Sequence, residues 1–378
     1  MPRRSNVARL PRRTESATAI AAPRLAPRPS TPAALGAIAS LAVAVAAVAT
    51  AGPAGPTISL IDTPDVDRWF YPFNTTPGAR SVVPMFGATN EADFDDRDGT
   101  MFLRWATDGE IPTGQGAASY EITAVTVRLT HANGDTIPYD PTVDPFTAFL
   151  PDGDPDQTAD ADPGQPFELF GIAGRNGFEP LGFAEDGPYS PVGPFGVGVR
   201  NLFAVDGVGG SPRDVSNSVR DGFTPTPWAL GTIDGLSAGD LIPTDSVMRF
   251  DLDLSAEGVV ATLQEQLDAG AVAFAVTSLA LVQQQGGSFG EIYTKENVFV
   301  QLDLVEAPTI EIEWRLVTTP ECPGNANGDL VVDFSDLLAV LSAFGPCGSP
   351  CPQDVDGSGD VGFGDVLTVL SSFGPCPG

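Results

Sequence analysis

The chain is 378 residues long and carries 49 acidic against 19 basic side chains, a formal net charge of −30. A surface of that sign repels nucleic acid and anionic membranes, so neither is expected as a partner. The chain has one histidine, and all four cysteines lie between Cys322 and Cys376, which excludes a histidine-rich zinc site and Cys–His catalysis.

The N-terminus holds Arg3, Arg4, Arg9, Arg12, Arg13, Arg24 and Arg28 against Glu15 alone. A run of small apolar residues follows from Ala33 to Ala49, with Ser40 the polar exception, and then Ala49-Thr50-Ala51. Basic region, apolar region and A-x-A site predict a signal peptide over residues 1–51, hence a secreted protein. An uncleaved anchor is the alternative, but an alanine-rich run of this length is marginal for spanning a bilayer, so no membrane insertion is expected after cleavage. Removing the leader takes seven basic residues and one acidic residue, leaving 12 against 48. That balance suits calcium-rich or saline surroundings, where salt screens self-repulsion.

Residues 57–318 predict antiparallel β-sandwich structure, one sizeable sandwich or two small ones, because Pro and Gly punctuate short alternating runs. Those runs are Ile122–Thr130, Val247–Leu254, Val298–Val305 and Thr309–Val317. In the last, Ile310, Ile312, Trp314 and Leu316 share one face, and Glu311, Glu313 and Arg315 the other. Val259–Leu267 predicts a helix with Val260, Leu263 and Leu267 on one face. The apolar stretch Ala271–Val282 predicts a buried strand. This strand–helix–strand succession, closed by a Gly-rich turn, Thr294-Lys295-Glu296-Asn297 and a final strand, resembles the C-terminal half of jelly-roll domains of bacterial surface and carbohydrate-binding proteins. The resemblance implies a concave sheet and glycan binding; a plain structural sandwich is the alternative.

Asp152, Asp154, Asp156, Asp160 and Asp162 follow calcium-loop spacing, but Pro163 stands where the closing carboxylate belongs. Asp93, Asp95, Asp96 and Asp98 form a second acidic cluster. Gly286-Gly287-Ser288-Phe289-Gly290 matches the G-x-S-x-G string of esterases, yet strand-like residues follow it and the only histidine, His131, lies far upstream. His131 itself precedes Asn133-Gly134, a hairpin-turn signal.

The tail, 322–378, is written twice at a spacing of 29 residues: Cys322, Asn325, Asp336, Phe344 and Cys347 recur as Cys351, Asp354, Asp365, Phe373 and Cys376. Each copy has the EF-hand-like spacing that places oxygens around a hard cation. The first site comprises Asn325, Asn327, Asp329, the Val331 carbonyl, Asp333 and Asp336. The second comprises Asp354, Asp356, Ser358, the Asp360 carbonyl and Asp365. Leu330 stands where the first loop would need glycine, which predicts a weaker first site. Each loop runs into one helix, with Leu337, Val340, Leu341 and Phe344, then Val366, Val369, Leu370 and Phe373, at core spacing. Gly345-Pro346 and Gly374-Pro375 end the helices. Two Ca2+ ions are the expected cofactors. Four cysteines without histidine favour two disulfides. Packing about a pseudo-twofold axis favours Cys347–Cys351 with Cys322–Cys376 over the within-repeat pairs.

Tandem loop–helix calcium units with Phe-Gly-Pro-Cys ends resemble a dockerin, the module that docks onto cohesin domains in bacterial extracellular assemblies. The resemblance covers residues 322–378. It implies a small helical calcium module after the sandwich, and a cohesin-like partner contacted by Phe334 and Ser335 and by Phe363 and Gly364. Packing of both phenylalanines between the helices is the alternative. The expected protein is therefore mainly β, non-catalytic and extracellular or at the bacterial cell surface. The alternative is a glycoside hydrolase or carbohydrate-binding protein acting on a polysaccharide, with Trp69, Phe70, Tyr71, Trp105, Tyr189, Trp228 and Tyr293 available to stack on sugars.

Overall fold

Alternation of apolar and polar side chains sorts most of the strands of residues 57–316 into two facing sheets. The computed structural model describes residues 56–89, 91–191, 193, 196–207, 212–282, 288–317, 322–329, 331–347 and 351–376. The predicted leader, Leu330 and Gly286-Gly287 lie outside the described residues. In chain order the strands are β1 (Thr57–Ile61), β2 (Val66–Phe70), β3 (Val82–Met85), β4 (Thr100–Ala106), β5 (Tyr120–Thr130), β6 (Glu168–Gly174) and β7 (Leu202–Asp206). They continue with β8 (Arg213–Asp214), β9 (Ala229–Leu230), β10 (Val247–Asp251), β11 (Ala271–Thr277), β12 (Gly290–Tyr293) and β13 (Thr309–Leu316). Helix α1 (Val259–Ala269) joins β10 to β11, and the single turn α2 (Val298–Gln301) lies between β12 and β13.

One sheet has the order β1-β13-β5-β10 and the other β2-β4-β11-β6-β7-β8, with β9 beside β6, while β3 and β12 pair as a separate two-stranded antiparallel sheet. All these pairings are antiparallel. Val125, Val127 and Leu129 of β5 and Ile310 and Ile312 of β13 meet Leu103 and Trp105 of β4 and Phe274 of β11 in one core. Each such large side chain contributes roughly 1.5–3 kcal/mol by leaving water. The predicted alternation of β13 is present: Ile310, Ile312 and Trp314 are buried, and Arg315 on the other face clamps Glu121 with contacts of 2.7 and 2.9 Å.

Strand β5 reads less regularly because it is bulged. Glu313 pairs with Ala124 but Trp314 pairs with Ile122, so Thr123 is the extra residue. The bulge flips the parity of the strand, which lets Ile122 and Val125, three apart, both face the core. Strand β11 is apolar throughout because both its faces are covered. Val272, Phe274 and Val276 face the sandwich core, while Ala273 packs with Phe70, Phe102 and Phe183, and Ala275 with Phe170 and Phe223. The predicted strand ends at Thr277 rather than Val282.

Two further expectations change. Val259, not Val260, is the buried start of the α1 face with Leu263 and Leu267, and left-handed Gly270 ends the helix. The run Val298–Val305 is not a strand. The Asn297 carboxamide accepts from the Phe299 N–H at 2.8 Å and caps a turn of helix, leaving Val298, Phe299, Leu302 and Leu304 exposed. Local capping overrides the alternation there.

His131, just before the Asn133-Gly134 turn signal, is more than a turn residue. It bridges Ile292 of β12 and is fully buried, its ring edge-on to Phe167 at 6.4 Å. Burial holds its pKa down to about 4, with the Pro243 carbonyl pulling weakly the other way. A depressed histidine pKa stabilises the fold above its unfolded value near 6.5, and that contribution is lost as pH falls toward 4. The expected loss across that window is roughly 3 kcal/mol. Because the chain has one histidine, a His131→Phe variant should lose that part of the slope in denaturant titrations at pH 4 to 7. An unchanged slope would refute the assignment.

Candidate metal centre

The tail adds β14 (Val331–Val332), α3 (Phe334–Ser342), β15 (Gly345–Pro346), β16 (Asp360–Val361), α4 (Phe363–Ser371) and β17 (Gly374–Pro375). Strand β14 pairs with β17 and β15 with β16, so each loop is zipped to the end of the other repeat's helix. That reciprocity is a pseudo-twofold arrangement. It brings together Cys322 with Cys376 and Cys347 with Cys351, the two disulfides present. A module of under 60 residues has a core too small to be comfortable without such staples.

The last carboxylate of each loop is its anchor. Asp336 is fully buried; its Oδ1 accepts from the Ala326 N–H at 2.8 Å and the Asn327 N–H at 3.0 Å, and its Oδ2 from the Asp333 N–H at 2.9 Å. Asp365, also fully buried, accepts from the Asp356 N–H at 3.1 Å and the Gly362 N–H at 2.7 Å.

In the second loop, Asp354, Asp356 and Asp365 each place a carboxylate oxygen within 4.8 Å of the others. The Asp354 carboxylate takes the Ser358 and Gly359 N–H groups at 2.9 and 2.8 Å, and the Ser358 hydroxyl donates to the Asp360 carbonyl at 3.0 Å. In the first loop, amides hold the corresponding places. Asn325 Oδ1 accepts from the Gly328 N–H at 2.8 Å, and Asn327 Nδ2 donates to Asp329 at 2.9 Å. Asp329 accepts from the Val331 N–H at 3.0 Å and Asp333 from the Ser335 N–H at 2.7 Å. Hydrogen bonding to that serine holds the Asp333 pKa below its usual value. Among the described residues the second loop thus gathers three carboxylates within 4.8 Å, and the first loop has no such group.

The four residues expected to touch a partner divide into two kinds. Phe334 and Phe363 are 62 % and 70 % exposed, so they do not pack between the helices. Ser335 and Gly364 serve the loops. The Ser335 hydroxyl accepts from Asn327 Nδ2 at 2.7 Å, and a side chain at Gly364 would put its Cβ 2.0 Å from the Asp356 carboxylate.

The helices bury less than their spacing predicts. Val340 and Val369 are fully buried, and Leu337 and Val366 pack partly against them, but Leu341, Phe344, Leu370 and Phe373 are about half exposed. Ala326, Val332 and Val361 from the loops fill the small core, so no room remains for the second half of each helix face. Leu338 and Leu367, absent from the predicted set, join Phe334 and Leu341, and Phe363 and Leu370, in an i, i+4, i+7 stripe on each helix.

The other predicted candidates resolve into core and ion pairs. Trp69, Phe70, Trp105, Trp228 and Tyr293 are buried. Trp69 is stacked against Tyr71 at 4.4 Å with the Arg80 guanidinium 4.6 Å from its ring centre, so it presents no open face to a sugar. Of the acidic cluster near residue 95, Asp93 is exposed, whereas Asp95 binds Arg200 at 2.8 Å and Asp96 takes the Arg220 N–H at 2.7 Å. That cluster is an arginine-paired network rather than a calcium loop. Asp67 and Glu296 converge with Glu185 on Lys295 Nζ, at 2.6 and 2.9 Å for the first two, so an ammonium occupies that acidic centre. After Ser288-Phe289 the chain enters β12 directly, the wrong geometry for a nucleophile elbow. Asp152 and Asp156 are exposed, and Asp160 and Asp162 instead join Asp140 and Asp144, residues in no predicted loop. No model of a known protein family matches the chain, and no curated protein matches it.

Proposed function

We propose that the chain is an exported, non-catalytic β-sandwich protein whose C-terminal repeats form a calcium-dependent, dockerin-like module. In this reading the module attaches the sandwich to a cohesin-like domain of an extracellular or cell-surface assembly. The observation that carries it is the repetition, in related settings, of an oxygen-lined loop beside an uncovered apolar helix stripe. Large exposed apolar residues in contiguous groups mark interaction surfaces, and aromatic anchors dominate their energetics. Two disulfides are compatible with an oxidising, extracellular setting. Among the described residues no helix is long and apolar enough to cross a membrane. The burial of most sugar-stacking candidates favours attachment over polysaccharide chemistry.

The test uses the full-length oxidised chain against a panel of cohesin domains in about 1 mM calcium and again with excess EGTA. Binding is expected in calcium and abolished by the chelator. The Phe334→Ala, Phe363→Ala double variant should weaken binding at least 30-fold, roughly 2 kcal/mol, as for aromatic anchors elsewhere. Absence of binding to every cohesin domain, or binding that survives both the chelator and the double variant, would overturn the proposal.

A further inference from the structure

We infer that Asp140, Asp144, Asp160 and Asp162 form a divalent-cation site in the sandwich, separate from the tail loops, with calcium as its occupant. The segment between β5 and β6 brings the four together, and one carboxylate oxygen from each lies within 4.8 Å of the others. Asp140 and Asp144 are only 3 % and 7 % exposed. Asp140 Oδ1 accepts from the Thr142 N–H at 2.8 Å and its hydroxyl at 3.0 Å, but Asp140 Oδ2 and both Asp144 oxygens are buried without a hydrogen-bond partner among the described residues. Asp144 therefore aims an unpartnered oxygen into the cluster.

The surroundings hold the half-exposed pair against the buried pair. The Thr142 hydroxyl lies 3.3 Å from the Asp162 carboxylate as well as 3.0 Å from Asp140, tying the two strands of the loop together. Gly164 allows the close pass: its Cβ would come within 3.0 Å of the Asp140 Cβ and of the Pro138 carbonyl oxygen. Among the described residues none of the four aspartates forms an ion pair with lysine or arginine.

Buried carboxylates without hydrogen bonds or a counter-charge are costly. Without a cation the cluster must take up protons. Burial, then Asp140 and Asp160, push the Asp144 pKa up to about 8. A divalent ion neutralises two of the four charges and supplies the missing partner for all three buried oxygens. The donor set is all oxygen, with no nitrogen or sulfur, and the two outer carboxylates sit on a loop. A hard ion tolerant of irregular coordination fits such a site, which favours calcium over magnesium.

The experiment counts ions bound to the full-length oxidised chain by equilibrium dialysis against calcium up to about 5 mM, above the weakest extracellular calcium modules. The Asp144→Asn, Asp160→Asn chain is expected to bind one ion fewer than its parent. The same difference of one should persist in a background carrying Asp336→Ala and Asp365→Ala, whether or not the tail itself binds calcium. Thermal melting gives a sign that a merely structural aspartate cannot. In EGTA, Asp144→Asn should melt roughly 3–6 °C above the parent, because the fold no longer has to protonate or bury an unpaired carboxylate there, and in calcium it should melt below it. Asp160→Asn alone, at a half-exposed position, repeats the ion count should the double variant not fold. Equal ion counts in parent and variant, or a melting change of the same sign with and without calcium, would overturn the inference.

Discussion

Replacing Asp336 with alanine is expected to unfold the loop–helix module while the sandwich stays folded. The carboxylate is fully buried and accepts three backbone N–H groups at 2.8 to 3.0 Å, from Ala326, Asn327 and Asp333. Hydrogen bonds to a charged group contribute about 1.5–3 kcal/mol each. Losing all three leaves buried donors unsatisfied, so even with partial compensation by water the cost is roughly 4 kcal/mol or more. A core this small supplies only about 3–5 kcal/mol. The Cys322–Cys376 bridge keeps the ends joined, but it cannot replace an acceptor inside the loop. Asp336→Asn separates charge from shape. Its oxygen can keep the Ala326 and Asn327 contacts, while its NH2 would face the Asp333 N–H, donor against donor. Hydrogen exchange on the full-length chain should show protection lost across residues 322–376 in the alanine variant and partly lost in the asparagine variant. Sandwich amides should keep theirs. Tail protection equal to that of the parent would sink the prediction.

The second large effect is expected at Asp95, inside the sandwich. Asp95 accepts from Arg200 Nε at 2.8 Å, the Gly198 N–H at 2.7 Å and Asn217 Nδ2 at 2.8 Å, with both members of the pair 1 % exposed. Burial opposes the Arg200 charge, but Tyr189, Asp95 and Asp98 hold its pKa above the ordinary arginine value. Removing Asp95 strands a buried guanidinium, which typically costs 3–5 kcal/mol. For a domain of this size that is a fall of about 10 °C in melting temperature. Replacing both partners, Asp95→Leu with Arg200→Met, should recover part of the loss, because the stranded guanidinium is gone while buried Asp98, the Gly198 N–H and Asn217 still lose a partner. Calorimetry on parent, single and double variants checks both statements. A single variant melting within about 3 °C of the parent would contradict the first.

Asp95 also marks how far the linear pattern could be read. Asp93, Asp95, Asp96 and Asp98 look alike along the chain, yet Asp93 stays exposed while the fates of Asp95 and Asp96 were set by Arg200 and Arg220, residues more than a hundred positions away. In the same way Asp160 and Asp162 were visible as acidic loop residues, while Asp140 and Asp144 carried no recognised spacing. Only the folded loop, whose close pass Gly164 permits, brought the four into one cluster. The aromatic run Trp69-Phe70-Tyr71 was equally ambiguous, since a sugar platform and a core strand use the same residue types. Pairing of β2 with β4, and Arg80 over Trp69, decided for the core.

By itself the sequence determined what depends on near neighbours: the duplicated loop–helix units, the alternation of β13, the existence of α1 and the predominance of antiparallel strands. A calcium-type loop or an amphipathic strand is specified within about a dozen residues, so its signature survives in one dimension. Tertiary structure alone decided the bulge at Thr123 and the covering of both faces of β11. It alone left Leu341, Phe344, Leu370 and Phe373 uncovered. Those outcomes depend on which distant side chains fill a limited volume or satisfy a buried charge, and Asp95 and Arg200, 105 residues apart, are an example that no local pattern encodes.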